Sequence, residues 1–316
     1  MKKLILSVML SGAIFTNVLA QAAKFKESDI SLKTSDGVLH GSLMEDVAAQ
    51  KKGATVALII SGSGPTDRNG NNAQMVNNSL KMLAEGLAAN GIATVRYDKR
   101  GIAASQAAGK AETDLRFENY INDAAEWIRL LQKDKRFNKV VVIGHSEGSL
   151  IGLEAALATN PAAFVSIAGA ANSADSILLM QVEKQPDMVK TEVQKIVTEL
   201  QQGKQVKNYS PYLEALFRPS VQPYLISWMK YKPAKDLKKL KAKTLIIQGK
   251  SDLQVPVSEA QLLAKAKPDA KLLVIDNMNH VLKNAPADPV QNIATYANPD
   301  LPLAKELVPA ITSFVK

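Results

Sequence analysis

The 316-residue chain contains no cysteine. This excludes disulfide bonds, thiolate nucleophiles and zinc–sulfur sites together. Histidine is nearly as scarce: His40, His145 and His280 are the only three imidazoles that could serve as a base. Aromatic residues make up only 5% of the chain, but aliphatic residues are plentiful, so the composition is not that of a disordered protein. No internal repeat or low-complexity block occurs. After the N-terminal run, no segment is long and apolar enough to cross a bilayer.

What is present suits a soluble globular protein. At 46% hydrophobic and 22% charged residues, the chain can bury one large core or two smaller ones. It opens with "MKKLILSVMLSGAIFTNVLAQAAKF": two lysines, an apolar run from Leu4 to Val18, then small residues. Residues 1–22 read as a secretory signal peptide, with cleavage after Ala20 or Ala22. The alternative, an uncleaved anchor, would need about 20 apolar residues, and this run is shorter. The expected location is therefore the bacterial periplasm or the medium. The net charge of +9 is partly local, since Met229–Lys243 holds seven lysines and one aspartate. That stretch has one tyrosine and no arginine, which argues against nucleic acid. It reads as a solvated face, and anionic lipid headgroups are the one further partner it would suit.

Local patterns alternate. "ISLKTSDGVLHGSLME" reads as a hairpin turning at Ser35-Asp36-Gly37. "ATVALII", "IATVRYD", "KVVVIGHS", "AAFVSIAGA", "KTLIIQGKSD" and "KLLVIDN" are strand-length apolar runs. Helical spacing follows several of them, including Met75, Leu80, Leu83 and Leu87, then Ile121, Ala125, Ile128 and Leu131, and finally a helix expected from Leu303 to the C-terminus. Continuously apolar strands separated by helices predict a mostly parallel central sheet covered on both faces, an α/β fold. Residues 171–242 break the alternation with helical segments and no clear strand. They are expected to form a helical lid inserted between core segments 23–170 and 243–316. Ligands of such sheets bind outside the carboxyl ends of the strands.

Gly144-His145-Ser146-Glu147-Gly148 matches G-x-S-x-G, with a strand before it and a helical pattern after it. The glycines allow a sharp turn that presents the Ser146 hydroxyl at the sheet edge. A serine hydroxyl needs a base to take its proton. His40 lies in the early hairpin, and His145 is adjacent to Ser146 on a tight turn and should point away. His280 follows the last apolar strand and is the best candidate base. Asp252, in the turn after "LIIQG", is the favoured acid, with Asp276 as its rival near the end of its own strand. Serine, aspartate and histidine then occur in the chain order of an α/β-hydrolase triad. An oxyanion would need two N–H donors: the Glu147 amide, and one from Ser61-Gly62-Ser63-Gly64-Pro65, with Ser63 first and Gly64 second. That loop also begins a dinucleotide-type G-x-G-x-x-G, but Asp67 stands where the third glycine belongs, and no Walker pattern exists.

On these residues the chain resembles the α/β-hydrolase superfamily of serine hydrolases, within its secreted esterase, lysophospholipase-like and serine aminopeptidase-like group. "SGSGPTDRNGN" is similar to that group's loop after the third strand, "VRYDKRGIAAS" to its fourth-strand turn and "GHSEG" to its elbow. "GKSDLQVP" resembles its acid turn and "NMNH" its histidine loop. The resemblance implies Ser146 as nucleophile, Asp252 as acid and His280 as base, with no metal or cofactor. Two departures stand out. Ser61-Gly62 replaces the common His-Gly, and Ala103 replaces the second glycine of Arg-Gly-x-Gly-x-Ser.

The expected function is hydrolysis of small-molecule carboxylic esters through an acyl-enzyme. A peptidase or amidase of the same fold is the first alternative, for which Glu183, Asp187, Glu192 and Glu199 on the insertion could receive an amino terminus. A non-catalytic binding protein that keeps the fold is the second. Leu178, Leu179, Met180, Leu213, Leu216, Phe217, Leu225, Ile226 and Trp228 could line an acyl pocket or form the insertion's own core.

Overall fold

The computed structural model describes residues 25–46 and 53–316. The expected signal peptide, residues 1–22, lies outside the described residues. In chain order the elements are β1 (Phe25–Thr34), β2 (Gly37–Asp46), β3 (Ala54–Ile60), α1 (Ser79–Ala88), β4 (Ala93–Tyr97), α2 (Phe117–Lys133), β5 (Phe137–His145), α3 (Glu147–Thr159) and β6 (Ala163–Ile167). Next come α4 (Ala174–Gln181), α5 (Asp187–Gln201), α6 (Glu214–Phe217), α7 (Gln222–Trp228) and α8 (Pro233–Leu237). The chain closes with β7 (Lys243–Gly249), α9 (Val257–Ala266), β8 (Lys271–Ile275), α10 (Pro289–Ala294) and α11 (Leu307–Val315).

The strands form one eight-stranded sheet in the order β1-β2-β4-β3-β5-β6-β7-β8. β1 with β2 and β2 with β4 pair antiparallel, and every other pairing is parallel. The inner parallel strands are mostly apolar because both faces are covered, whereas the edge strand β8 is partly exposed. In β3, Val56, Leu58 and Ile60 face one core, while Ala57 and Ile59 face the other. The first core takes α2, α3 and α9 together with the helical segment between β6 and β7. The second takes Leu80, Leu83 and Leu87 of α1 and Leu307, Ile311 and Val315 of α11.

The order places β4 and β5 on opposite sides of β3. After β3 the chain first runs to one side and later returns to the other, which opens a crevice at the carboxyl ends of β3 and β5. The glycine-rich loop leaves β3 there, and Ser146 leaves β5 there.

Two helices start later than their apolar spacing predicts. Met75 stands outside α1 because the Asn71 side chain accepts the backbone N–H groups of Asn77 and Asn78, and Asn78 adopts φ 53°. These bonds fold residues 71–78 into a turn before the helix can begin. Leu303 stands outside α11 because residue 303 bridges Lys283 and the Ala304 N–H donates to Leu282 O. That segment is held by the loop that carries His280.

Candidate active site

Ser146 sits between the last residue of β5 and the first of α3, at φ 56° and ψ −124°. A non-glycine residue in this region costs of order 1–3 kcal/mol, held in place by its surroundings. The flanking glycines show how tightly. A Cβ on Gly144 would lie 2.2 Å from Gly148 O, and one on Gly148 would lie 2.4 Å from Ile60 O. Backbone therefore packs directly on backbone where α3 starts beside the end of β3. The Ser146 N–H donates to Ile167 O at 2.9 Å, which pins the turn to β6.

His280 follows β8 on a loop packed against the end of β7. Ser251 N–H donates to Met278 O, and a Cβ on Gly249 would collide with that same carbonyl at 1.9 Å. The Asn279 amide donates to Thr295 Oγ1 and Asn292 Oδ1, bracing the loop from the other side. So held, His280 Nε2 lies 3.1 Å from Ser146 Oγ, and His280 Nδ1 lies 2.8 Å from Asp252 Oδ2. A carboxylate can only accept, so Nδ1 carries the hydrogen and the Nε2 lone pair faces the hydroxyl.

The Asp252 side chain is fully buried. Its Oδ1 accepts the N–H groups of Gln254 and Val255 at 2.8 and 3.0 Å, and its Oδ2 accepts Gln248 Nε2 at 3.0 Å. Burial alone would raise this carboxyl. The neighbouring His280 and the two backbone amides outweigh burial and leave it below its ordinary value. Asp276 stands apart, largely exposed and paired with Lys250 at 2.6 Å.

The other two imidazoles lie elsewhere. His40 is exposed in β2, its N–H bonded to Ser105 Oγ. His145 is buried, and its Nε2 lies 2.7 Å from His280 O. A carbonyl only accepts, so this nitrogen is the donor. Burial and then the proximity of His280 push His145 down to about 3, so it stays neutral and bonds the backbone of the His280 loop.

A small cavity of about 70 Å³ opens beside the hydroxyl, lined by Ser63, Ser146, Glu147, Ile177, Gln181 and Trp228 among others. Ser63 and Glu147 thus share a cavity with Ser146. Gly64 instead lines an adjoining cavity of about 370 Å³ with Lys99, Tyr120, Arg218 and Tyr224. Of the nine apolar residues considered for an acyl pocket, only Trp228 lines the cavity at Ser146. Leu178, Leu213, Phe217 and Leu225 are buried in the core that also holds Val193 and Leu200 of α5, whereas Met180 and Leu216 are exposed. Glu183, Asp187, Glu192 and Glu199 are absent from the walls of both cavities. Among the described residues, no group of three or more His, Asp or Glu side chains is placed to hold a metal ion.

A family model described as serine aminopeptidase, S33, matches residues 76–286. The chain belongs to this α/β-hydrolase family. A curated relative is esterase EstD of Thermotoga maritima, 27% identical over 239 residues. That match covers 71% of this chain but 54% of EstD, so the chain spans about half the length of the curated relative it matches. Among solved structures, Est1E of Butyrivibrio proteoclasticus with ferulic acid bound superposes with a TM-score of 0.63 at 16% identity, over 90% of this chain and 98% of that one. The esterase Pf2001 of Pyrococcus furiosus gives 0.60 at 15% identity, over 92% and 90%. At such identities the family and these structures share the fold.

Sequence reasoning did not anticipate one cluster beside Ser146. The Glu147 side chain is buried, with Oε2 3.1 Å from Lys99 Nζ and Oε1 2.5 Å from the Tyr224 hydroxyl. Lys99 directly follows the "VRYD" strand end, which places it on the same sheet edge as Ser146. That position was the only signal available in the sequence.

Proposed function

We propose that this chain is an exported serine hydrolase that cleaves carboxylic esters through a covalent acyl-enzyme. One observation carries the reading: the continuous line from Asp252 through His280 to the Ser146 hydroxyl, at 2.8 and 3.1 Å. Ser146 Oγ attacks the ester carbonyl carbon while His280 Nε2 takes its proton. The carbonyl electron pair moves onto oxygen, where the Glu147 and Ser63 N–H groups receive the charge. Collapse expels the alkoxide, which takes the proton back from Nε2. Water, deprotonated by the same nitrogen, attacks the acyl-serine. A second collapse releases the acid and returns the proton to Ser146. Asp252 holds the Nδ1–H tautomer and stabilises the imidazolium formed in each half.

Ester cleavage is better supported than aminopeptidase action. A substrate α-ammonium would need a free carboxylate at the site. The carboxylate lining the Ser146 cavity belongs to Glu147, and Lys99 and Tyr224 already engage it. The names of the similar proteins, EstD and Est1E among them, agree with an ester substrate. Residues 171–242 act as the lid, with Ile177, Gln181, Trp228 and Pro233 lining the cavity at Ser146. The N-terminal pattern of residues 1–22 supports export, and the lysine-rich face around α8 suits peripheral contact with anionic lipid.

Ser146→Ala decides the central claim. The variant should keep its melting temperature, lose fluorophosphonate labelling and lose at least about 10³-fold in turnover of p-nitrophenyl acetate. A folded alanine variant that keeps substantial turnover would remove Ser146 from the mechanism. Parallel assays on aminoacyl amides should show far slower cleavage than on esters.

A further inference from the structure

We propose that Lys99 is a positioning residue that holds both halves of the oxyanion site, and that Tyr224 fastens this clamp to the helical segment between β6 and β7. The inference rests on the ester-hydrolase reading above.

The Lys99 side chain is 1% exposed and its ammonium has two oxygen partners, Gly62 O at 2.6 Å and Glu147 Oε2 at 3.1 Å. The first partner matters through covalent geometry. Gly62 C=O and Ser63 N–H belong to one planar trans peptide and point in opposite directions. A cation fixed on the carbonyl therefore fixes where the Ser63 N–H aims. Drawing electron density toward the carbonyl oxygen also makes that N–H a stronger donor. Ser63 lines the cavity at Ser146, and a Cβ on Gly62 would sit 3.1 Å from Ser146 Cβ, so this peptide lies against the nucleophile.

The second partner is the residue whose own N–H directly follows the nucleophile. The Glu147 carboxylate is held at one oxygen by Lys99 and at the other by the Tyr224 hydroxyl. Both contacts are charge-assisted and hence short and directional. Tyr120 completes the enclosure, its ring centroid 4.9 Å from Lys99 Nζ. Burial, with the Glu147 charge adding to it, keeps the Tyr224 phenol well above its ordinary value, so it remains an O–H donor. Stability alone does not account for this arrangement, because a buried ion pair commonly stabilises a fold no better than apolar residues of the same volume. What the pair supplies that apolar residues could not is direction: one ammonium orients two peptide N–H groups from separate chain segments. Tyr224 belongs to α7, so the seating of the helical segment bears on the aim of the Glu147 amide.

The test uses active-site titration with a fluorophosphonate, so that kcat refers to competent sites only. It compares Lys99→Met/Glu147→Gln, which removes both charges together, with Lys99→Arg and Tyr224→Phe. Loss of a single oxyanion donor costs about 10²–10³ in kcat. Misaiming both should lower kcat of the double variant by about 30–300-fold with KM within about threefold. Affinity for a trifluoromethyl ketone, whose adduct places an oxyanion in the same site, should fall by the same factor as kcat/KM. Lys99→Arg should recover most of the loss, and Tyr224→Phe should cost about 3–10-fold in kcat. If the double variant fails to fold, Tyr224→Phe alone decides, since it removes one hydroxyl and no charge. A lower melting temperature with kcat per titrated site within about threefold of the parent would overturn the inference alone. A parent protein that neither hydrolyses esters nor takes up the phosphonate would overturn the ester-hydrolase reading and this inference with it.

Discussion

Replacing Asp252 with asparagine tests whether the acid acts by fixing the His280 tautomer. The two carboxylate oxygens have unlike partners. Oδ1 accepts two backbone N–H groups, from Gln254 and Val255, while Oδ2 meets His280 Nδ1 and Gln248 Nε2. An asparagine must choose. With its oxygen toward the backbone amides, its NH2 faces His280 and forces Nδ1 to accept, so Nε2 carries the hydrogen and can no longer deprotonate Ser146. With its oxygen toward His280, its NH2 opposes two backbone donors and leaves both unsatisfied. The first orientation forfeits the Gln248 bond, and the second forfeits two backbone bonds. The balance favours the unproductive orientation by about 1–3 kcal/mol, the cost of one buried unsatisfied group. That corresponds to a factor of about 5–150. Exchanging a charged for a neutral hydrogen bond to the imidazolium costs about 1–1.5 kcal/mol more, another factor of roughly 10. The expected fall in kcat is therefore about 10²–10³, with KM little changed and phosphonate labelling slowed in parallel. Burst and steady-state kinetics on p-nitrophenyl acetate measure it, with circular dichroism to establish that the variant folds. A folded Asp252→Asn enzyme that keeps more than about a tenth of the parent kcat would refute the tautomer argument.

Two further predictions concern stability. Ala103 adopts φ 42°, so Ala103→Gly should relieve about 1 kcal/mol of left-handed strain, less a few tenths for added freedom of the unfolded chain. A rise of one or two degrees in melting temperature is expected, and a fall would count against it. Glu154 is pushed up to about 7, first by burial and then by Asp236, from an ordinary value near 4.5, and one of its oxygens has no hydrogen-bond partner. Between those values the folded chain binds the proton more tightly than the unfolded chain. Its contribution is therefore fully present below about 4.5 and is lost as pH rises through 7, at up to about 1.4 kcal/mol per unit. Glu154→Gln should raise stability to urea at pH 8 by about 1–3 kcal/mol relative to its effect at pH 5, and equal effects at both values would show that the shift is absent.

The strands were legible because burial on both faces leaves a plain mark, an apolar run that stops abruptly at glycine, serine or aspartate. Ser146, Asp252 and His280 all follow such runs, so the sheet edge where they lie could be read from the sequence, and His280 lies within hydrogen-bond reach of both other side chains. Choosing between Asp252 and Asp276 from sequence rested on placement alone. Burial separates them, one against His280 and the other beside Lys250 in solvent. Helix starts were misread where polar or pairing interactions overrode apolar spacing, as Asn71 does before α1 and the Lys283 bridge does before α11. The walls of the Ser146 cavity were out of reach for another reason. Periodicity identifies which face of a helix is apolar, but Phe217 and Leu225 spend that face on each other's neighbourhood, whereas the half-polar positions Ile177 and Gln181 line the cavity. Lys99 was hidden because one of its two partners, Gly62 O, is a backbone carbonyl with no letter in the sequence, and the other, Glu147, comes from a distant strand end.

The crossing order of the sheet has a consequence for when the protein becomes chemically competent. Ser146 follows β5, near mid-chain, while the proposed acid Asp252 and base His280 follow β7 and β8, which dock on the far side of β6. A polypeptide emerging from the ribosome therefore carries that serine without its partners for much of its synthesis. On the proposed mechanism, reactivity begins only when the last two parallel strands have zipped onto the sheet, so the unfinished chain has no activated serine.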